Sequence, residues 1–348
     1  MPNLFSYVKQ NGHRSFEEFK LNRFDCLALS LSTYIDYKEV YEPNITLSEM
    51  IKRRYDGKNL RKENLGLIVP KRIIKFAYFL KDYSRFKDIK VIDYIDYLDD
   101  NCQFAVISFE ILDYIVVSFR GTDDTVVGWK ENVESLIHED TLGQLKAKDY
   151  IDQMALKYKD KKLVIIGHSK GGNLALYGSL FCNHHDRIEI VYNFDGQGLF
   201  LKKPDQKQIN FAKHKILKIA PHASVIGNIF TDYSANIIVC KSKLLGLFQH
   251  NALSWQIKDL EFVEANGFKK RTMRFINKLH QDVYDLGDEG RKELFDEFVK
   301  YFKELGFTHL IQFKKIKNLK PAFKDMKFIS QKNRKMLRKI FFTYLRNI

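Results

Sequence analysis

The sequence lacks the features of a disulfide-linked, metal-binding or membrane-spanning protein. Its four cysteines form no Cys-x-x-Cys pair and no Cys/His cluster at metal-ligand spacing, so we expect buried thiols in a reducing compartment and neither a metal nor a cofactor. The N-terminus lacks the charged start and long apolar run of a signal peptide. No uncharged apolar segment is long enough to cross a bilayer. These absences predict a soluble, cytoplasmic protein.

The chain also lacks internal repeats and low-complexity linkers. It has 348 residues, of which 45% are hydrophobic and 14% aromatic, and this composition excludes general disorder. The length fits one large domain with additions as well as two domains. The formal net charge of +15 indicates either a solvation role or an anionic partner, for which anionic lipid, nucleic acid and an acidic substrate are the candidates.

The sequence Gly-His-Ser-Lys-Gly at 167–171 has the pattern of a nucleophile elbow. Four apolar residues at 163–166 predict a buried strand before it, and the residues after it predict a helix. Ser169 must then take a strained backbone conformation, for which the flanking glycines make room. We therefore predict that Ser169 is a nucleophile and that the Lys170 amide, at the helix N-terminus, donates to an oxyanion. The alternatives are a plain strand-to-helix turn or a phosphate-binding helix start.

Short apolar runs alternate with helical patterns along the central part of the chain. The first hundred residues are predicted to be mainly helical, with helices over 24–35, 46–55 and 70–83. From Phe104 onward the sequence predicts a hairpin over 104–111 and 114–119, and later strands over 188–194, 215–220 and 235–240. Helices are predicted over 128–138, 141–158, 270–284, 290–305 and 331–345.

Strands that alternate with helices predict a mostly parallel sheet with helices on both faces, which is the α/β-hydrolase fold. We divide the chain into three parts. Residues 1–100 form a mainly helical N-terminal part packed on the core, 101–262 form the α/β-hydrolase core, and 263–348 form a basic helical C-terminal extension or cap.

The C-terminal tail, 313–348, is strongly basic. Asp325 is the only acid among its many lysines and arginines, and apolar residues are interleaved with these charges. The favoured interpretation is an amphipathic helix that packs its apolar stripe on the core. The alternatives are peripheral contact with an anionic membrane and nucleic-acid binding. The last depends on charge alone, without a helix-turn-helix or stacking motif, so nucleic acid is not an expected partner.

A serine becomes a strong nucleophile only when a histidine takes its proton and an acid orients that histidine. In α/β-hydrolases the acid follows the serine along the chain and lies at the end of a later strand. Asp195 comes directly after the strand predicted at 188–194, and we predict it to be the acid. Its alternative role is a turn former before Gly196. Asp205, which opens a helix, and Asp232, in a loop, are weaker candidates.

The base is expected late in the chain, after the last strand of the core. His250 satisfies this order and is the predicted base, and its alternative role is that of a surface loop residue. His222 comes one strand too early, and His184 and His185 end the elbow helix. His168, beside the serine, is expected to pack or orient rather than to act as the base.

A second oxyanion donor is expected from the loop after an earlier strand. Arg120-Gly121-Thr122 follows an apolar strand, its glycine allows close backbone approach, and Thr122 offers both an N–H and a hydroxyl. We predict that Thr122 is this donor.

Four segments together resemble the class 3 (fungal-type) lipases and, more closely, an uncharacterised bacterial group of lipase-like α/β-hydrolases. These segments are 116–122 with Trp129, 166–173, 194–198 and 249–255, and they span about residues 100–256. The resemblance implies that Ser169 is the nucleophile, His250 the base, and Thr122 with Lys170 the oxyanion donors.

Two positions depart from class 3 lipases. Those lipases carry leucine where this chain has Lys170, and they place the acid one strand later, where residues 221–227 offer no carboxylate. An acid one strand earlier resembles the arrangement of pancreatic-type lipases. The sequence thus predicts a serine hydrolase that cleaves a carboxylic ester, with an acyl lipid as the favoured substrate. The alternative is a non-catalytic lipid- or partner-binding protein on a hydrolase scaffold.

Overall fold

The computed structural model describes residues 2–66, 69–315 and 333. Its central feature is an eight-stranded sheet whose strands lie side by side in chain order. The strands are β1 (Ile45–Thr46), β2 (Lys90–Leu98), β3 (Gln103–Ile111), β4 (Tyr114–Phe119), β5 (Lys162–His168), β6 (Ile188–Phe194), β7 (Ile216–Pro221) and β8 (Asn236–Cys240). Pairing is antiparallel from β1 to β4 and parallel from β4 to β8.

Helices cover both faces of this sheet. They are α1 (Leu4–Asn11), α2 (Arg23–Ser32), α3 (Leu47–Tyr55), α4 (Arg72–Leu80), α5 (Ser84–Lys87), α6 (Val126–Glu134), α7 (Leu142–Lys157), α8 (Lys170–Phe181), α9 (Gln206–Lys215), α10 (Lys270–Tyr284) and α11 (Gly287–Leu305). Two short strands, β9 (Ile257–Lys258) and β10 (Glu261–Phe262), form a separate antiparallel pair. The predicted α/β-hydrolase fold, with a mostly parallel sheet and helices on both faces, is confirmed.

The side-chain alternation of the strands divides the core between the two faces. Val164 and Ile166 of β5 pack with α1 to α4, whereas Leu163 and Ile165 pack with α7 and α8. A third apolar cluster joins α6 to α10 and α11. Because β5 is buried on both faces, its unbroken apolar run reads correctly as a central parallel strand.

Most of the predicted elements occur close to their expected bounds, but the two-residue strands β1, β9 and β10 and the long strand β2 were missed. The segment 90–98 was assigned to the mainly helical first hundred residues, yet it forms β2 and pairs with β3 along its length. Two features conceal it, namely a register shift between Val91 and Asp93 and the two aspartates, which are rare in strands. Both acids are paired in the structure, Asp93 with Tyr150 and Asp96 with Arg120.

Two other expectations concern membrane-spanning helices and the basic C-terminal tail. Among residues 2–66 and 69–315, no helix has both the length and the apolar character needed to cross a bilayer. The helix predicted over 331–345 and the basic tail beyond residue 315 lie outside the described residues, apart from Asn333. The division at residues 100 and 262 stays a prediction.

Candidate active site

Ser169 lies at the tight turn between β5 and α8. Its backbone is strained, with φ 61° and ψ −129°, and its N–H donates to the carbonyl of Phe194 at 3.0 Å. A Cβ on Gly167 would come within 2.1 Å of the Gly171 carbonyl oxygen, and one on Gly171 would come as close to the Phe119 oxygen. The glycines of the motif therefore allow the strand, the turn and the helix to pack in contact.

His250 and Asp195 are hydrogen-bonded, although 55 residues separate them in the chain. The distance from His250 Nδ1 to Asp195 Oδ2 is 2.7 Å, and the Asp195 side chain is fully buried. Because a carboxylate only accepts, Nδ1 carries the proton and Nε2 is left as a proton acceptor. The second carboxylate oxygen, Oδ1, accepts a hydrogen bond from the hydroxyl of Ser224.

The turn that carries Asp195 is held by its neighbours. Asp195 has a positive φ of 53°, and its N–H donates to the carbonyl of Ile219 in β7 at 2.9 Å. The buried Asn193 Oδ1 accepts from the Gly196 N–H at 2.8 Å, which closes the turn. A Cβ on Gly227 would come within 2.2 Å of Asp195 Oδ1, so this position requires glycine. The carboxylate is thus fixed from both sides.

The loop before and after His250 is also fixed. Gln249 is buried, its Oε1 accepts from the Ala223 N–H at 3.1 Å, and its carbonyl accepts from Trp255 Nε1 at 2.7 Å. Trp255 is itself fully buried. These bonds explain why the residues around His250 form one recognisable segment at 249–255.

His168 orients this region, as its sequence position suggested. Its Nε2 bonds the carbonyl of His250 at 2.9 Å, its Nδ1 bonds the Tyr34 hydroxyl at 2.9 Å, and its ring stacks on His250 with centroids 4.6 Å apart. Burial, and then the neighbouring His250, hold the pKa of His168 well below its usual value. His168 is therefore a neutral spacer between Tyr34 and His250.

The loop that carries Thr122 is anchored on both sides. The Arg120 guanidinium forms a two-pronged ion pair with Asp96 of β2, at 2.6 and 2.8 Å. A Cβ on Gly121 would come within 2.1 Å of the Tyr34 hydroxyl oxygen, so the glycine permits the close approach expected of it. The Thr122 Oγ1 accepts from Asn132 Nδ2 at 3.0 Å, which leaves its own proton available as a donor.

The Lys170 side chain turns away from this region and is buried. Its ammonium donates to the Gln103 carbonyl at 3.1 Å and pairs with Glu131 of α6. The Glu131 carboxylate also accepts from the N–H groups of Gln103 and Gly143, at 3.1 and 2.8 Å. The lysine that replaces the leucine of class 3 lipases therefore ties α8 to α6, β3 and the start of α7.

Three of the predicted site residues meet at one cavity of about 450 Å³, which Asp195 and Lys170 do not line. Ser169, His250 and Thr122 line it, together with mainly apolar side chains that include Leu31, Val69, Ile73, Trp129, Ile226 and Phe248. The cavity lies at the carboxyl ends of the parallel strands, where ligands bind in open α/β sheets. Its walls suit an apolar ligand.

The weaker candidates have other positions. Asp205 is the N-cap of α9, and Asp232 pairs with the buried Lys218. His185 bonds the carbonyl of Leu180 at 3.1 Å, and His222 lines a different depression with Lys241. None of the four lines the cavity that contains Ser169.

Sequence reasoning missed three residues that support this site. They are Ser224, which donates to Asp195, Asn132, which donates to Thr122, and Gln197, whose Nε2 donates to Asn132 Oδ1 at 3.2 Å. Asn132 lies within the predicted helix 128–138, but no local pattern indicates its partner. Ser224 lies in the segment 221–227, where only a carboxylate was sought.

A family model described as Mbeg1-like matches residues 80–300. The chain belongs to the Mbeg1-like family. The match covers β2 to β8 and most of the C-terminal helices, and so includes every residue of the cavity that follows α4. Among curated proteins, none matches this Mbeg1-like chain in sequence.

Solved structures similar to this Mbeg1-like protein include several fungal lipases. A triacylglycerol lipase from Penicillium expansum is 15% identical over 52% of this chain and 75% of its own, with a TM-score of 0.32. A mono- and diacylglycerol lipase from Aspergillus oryzae is 13% identical over 60% and 74%, with a TM-score of 0.35. A further fungal lipase is 10% identical over 75% and 87%, with a TM-score of 0.38. At these identities and TM-scores the likeness does not extend to activity or substrate.

Proposed function

We propose that this protein is a serine hydrolase that cleaves a carboxylic ester through an acyl-enzyme. The observation that carries the proposal is the 2.7 Å hydrogen bond between His250 Nδ1 and Asp195 Oδ2, in an imidazole that lines the same cavity as the strained Ser169. A histidine held by a buried carboxylate, in the same cavity as a serine at a sharp strand-to-helix turn, supplies the groups that nucleophilic acyl transfer requires.

In the proposed reaction, Ser169 Oγ attacks the ester carbonyl carbon while His250 Nε2 takes its proton. The oxyanion accepts hydrogen bonds from Thr122 and from the Lys170 N–H, and Asp195 stabilises the imidazolium. The imidazolium then protonates the leaving alkoxide, which departs as an alcohol and leaves an ester on Ser169. Water, deprotonated by His250, attacks this ester, and the acid is released as Ser169 recovers its proton.

An acyl lipid is the substrate class that we propose. The apolar walls of the cavity support it, because a volume of about 450 Å³ lined by leucine, isoleucine, tryptophan and phenylalanine favours a hydrocarbon chain.

We also propose a cytoplasmic location, in keeping with four buried cysteines that form no disulfide, and peripheral membrane contact through 313–348. Residues 316–332 and 334–348 of this tail lie outside the described part of the chain.

The test is covalent labelling by a fluorophosphonate together with turnover of p-nitrophenyl esters of increasing chain length. We expect the wild type to be labelled at Ser169 and to prefer longer acyl chains, and Ser169→Ala to lose both label and turnover. Ser84→Ala, at a serine that bonds the Gly12 carbonyl, is the matched control and should keep both. An unlabelled wild type would support the alternative, a non-catalytic binding protein on this scaffold.

A further inference from the structure

The segment 244–248, which we call the rim segment, presents apolar side chains to solvent. Leu244 is 38% exposed, Leu245 80% and Phe248 48%. Within the described residues, Leu245 is the most exposed large apolar side chain. Single exposed leucines are ordinary on protein surfaces, but three large apolar side chains within five residues form a contiguous patch of the kind that binds another apolar surface.

The rim segment lies at the mouth of the cavity that contains Ser169. Leu244, Leu247 and Phe248 line this cavity, and His250 follows two residues later. Leu245 does not line it and extends outward. The turn at Gly246 has a positive φ of 55° and open space where a Cβ would lie, so among residues 2–66 and 69–315 no atom covers this side of the turn. The patch therefore adjoins the cavity, with Leu244 and Phe248 belonging to both.

Exposed cations flank this entrance on two elements. Lys241 and Lys243 immediately precede the rim segment, and both are exposed. Pro70 and Ile73 line the same cavity, and the exposed Lys71 and Arg72 lie between them. Neither 69–75 nor 241–248 contains an acidic residue. These two stretches therefore add cations and no acid to the border of the apolar patch, which makes it complementary to an anionic lipid surface.

We propose that the rim segment docks the protein on an anionic lipid bilayer. Leu245 and Phe248 enter the acyl-chain region, while Lys241, Lys243, Lys71 and Arg72 contact the anionic headgroups. In this orientation the cavity opens directly onto the membrane, and an acyl chain reaches Ser169 without crossing water. The inference rests on the proposed lipid ester hydrolysis for its purpose, but it concerns residues that take no part in the chemistry.

The test is vesicle co-sedimentation of the full chain, with Ser169→Ala as the background so that the lipid stays intact. The vesicles are an equal mixture of phosphatidylglycerol and phosphatidylcholine, compared with phosphatidylcholine alone. We expect binding to the anionic vesicles to weaken roughly tenfold or more in Leu245→Ser, because a leucine side chain leaves the hydrocarbon. Leu156→Ser is the matched control and should bind as the background does. Leu156 is 55% exposed at the end of α7, which leads into the start of β5, so it lies at the opposite end of the parallel strands from Ser169.

A second pair of variants tests the charges. Lys241→Gln with Lys243→Gln should weaken binding roughly fivefold per lysine, and the weakening should fade in high salt. Lys157→Gln with Lys159→Gln removes the same net charge just before the start of β5, at the opposite end of the parallel strands from Ser169, and should weaken binding much less.

Two results would overturn the docking surface. One is equal binding by the two leucine variants, which would assign membrane contact to another part of the chain such as 313–348. The other is an oligomer that Leu245→Ser dissociates while no variant binds vesicles, which would make the rim segment a self-association surface. Fluorophosphonate labelling of the wild type tests the proposed function independently of vesicle binding. If the protein binds vesicles but is not labelled, only the proposed function is contradicted. If it is labelled but does not bind vesicles, only the docking surface is contradicted.

Discussion

Replacing Asp195 by asparagine should remove activity while leaving the fold almost unchanged, because the two side chains have the same shape. The structure fixes which way the new amide points. Ser224 donates its proton to Oδ1 of Asp195, and its oxygen also accepts from the Gly227 N–H at 2.9 Å. An asparagine at 195 therefore keeps its carbonyl toward Ser224 and turns its NH₂ toward His250.

The expected size of the loss in kcat follows from the tautomer of the His250 imidazole. An NH₂ group facing His250 makes Nδ1 an acceptor and moves the ring proton to Nε2, which can then no longer take the proton of Ser169. An amide at this position of a serine protease triad lowers kcat about ten-thousandfold. Flipping the amide would avoid this loss, but it would leave the Ser224 hydroxyl without its acceptor, at a cost of about 1–3 kcal/mol.

The assay is kcat for p-nitrophenyl butyrate, with the melting temperature as the check on folding. We expect Asp195→Asn to lose three to four orders of magnitude, and Ser224→Ala combined with Asp195→Asn to regain roughly fivefold to a hundredfold, since the flip then no longer leaves a Ser224 hydroxyl without its acceptor. Asp205→Asn is the control, because asparagine caps a helix as well as aspartate and Asp205 caps α9. An Asp195→Asn protein that keeps more than a tenth of the wild-type kcat would refute this account of the acid.

Three further changes test the surroundings of the site. Ser224→Ala alone should lower the free energy of unfolding by about 1.5–3 kcal/mol, as measured in urea, because a buried carboxylate loses a donor. Lys170→Met should cost about 3–5 kcal/mol in the same measurement, because Glu131 stays buried without its cation, and a cost below 1 kcal/mol would contradict the pairing. His168→Gln should reduce the pH dependence of stability. Burial lowers the pKa of His168 in the folded protein, so below pH of about 6.5 the unfolded chain binds this proton first and acid favours unfolding, by about 1.4 kcal/mol per pH unit. Urea unfolding at pH 7 and at pH 5.5 should show a larger loss of stability at the lower pH in the wild type than in the variant. The variant keeps the contributions of His222 and His280, because burial lowers their pKa values too.

The sequence allowed the central sheet and the elbow to be predicted because both depend on local patterns. The apolar run before Ser169 indicates a strand buried on both faces, and the glycines indicate where backbones touch. The strand-end rule then led to Asp195 and His250, which the structure brings within hydrogen-bonding distance. Their roles stay predictions until activity is measured.

The contacts that sequence could not supply join elements far apart in the chain. Asp93 and Asp96 weaken the strand pattern of β2, because aspartate is rare in strands. Their partners Tyr150 and Arg120 come 57 and 24 residues later, so a local pattern does not show that these acids are paired. The pairing of Lys170 with Glu131 is equally nonlocal, 39 residues apart. Each case places a charged or polar residue where local propensity disfavours it, and the compensation is visible only in three dimensions.

The positions of the carboxyl ends of β6 and β7 explain why Asp195, which follows β6, can reach and hydrogen-bond His250. The two strands are parallel neighbours in the sheet, so their carboxyl ends lie side by side below the loop that carries the imidazole. Asp195 at the end of β6 needs a donor for its second oxygen, and Ser224 supplies it from the loop after β7. Class 3 lipases place their acid in that later loop. Here the loop keeps a part in orienting the histidine through a hydroxyl, and its glycine, Gly227, leaves room for the carboxylate. Asp195 and Ser224 therefore act as one unit, and a substitution at either should be judged by its effect on His250.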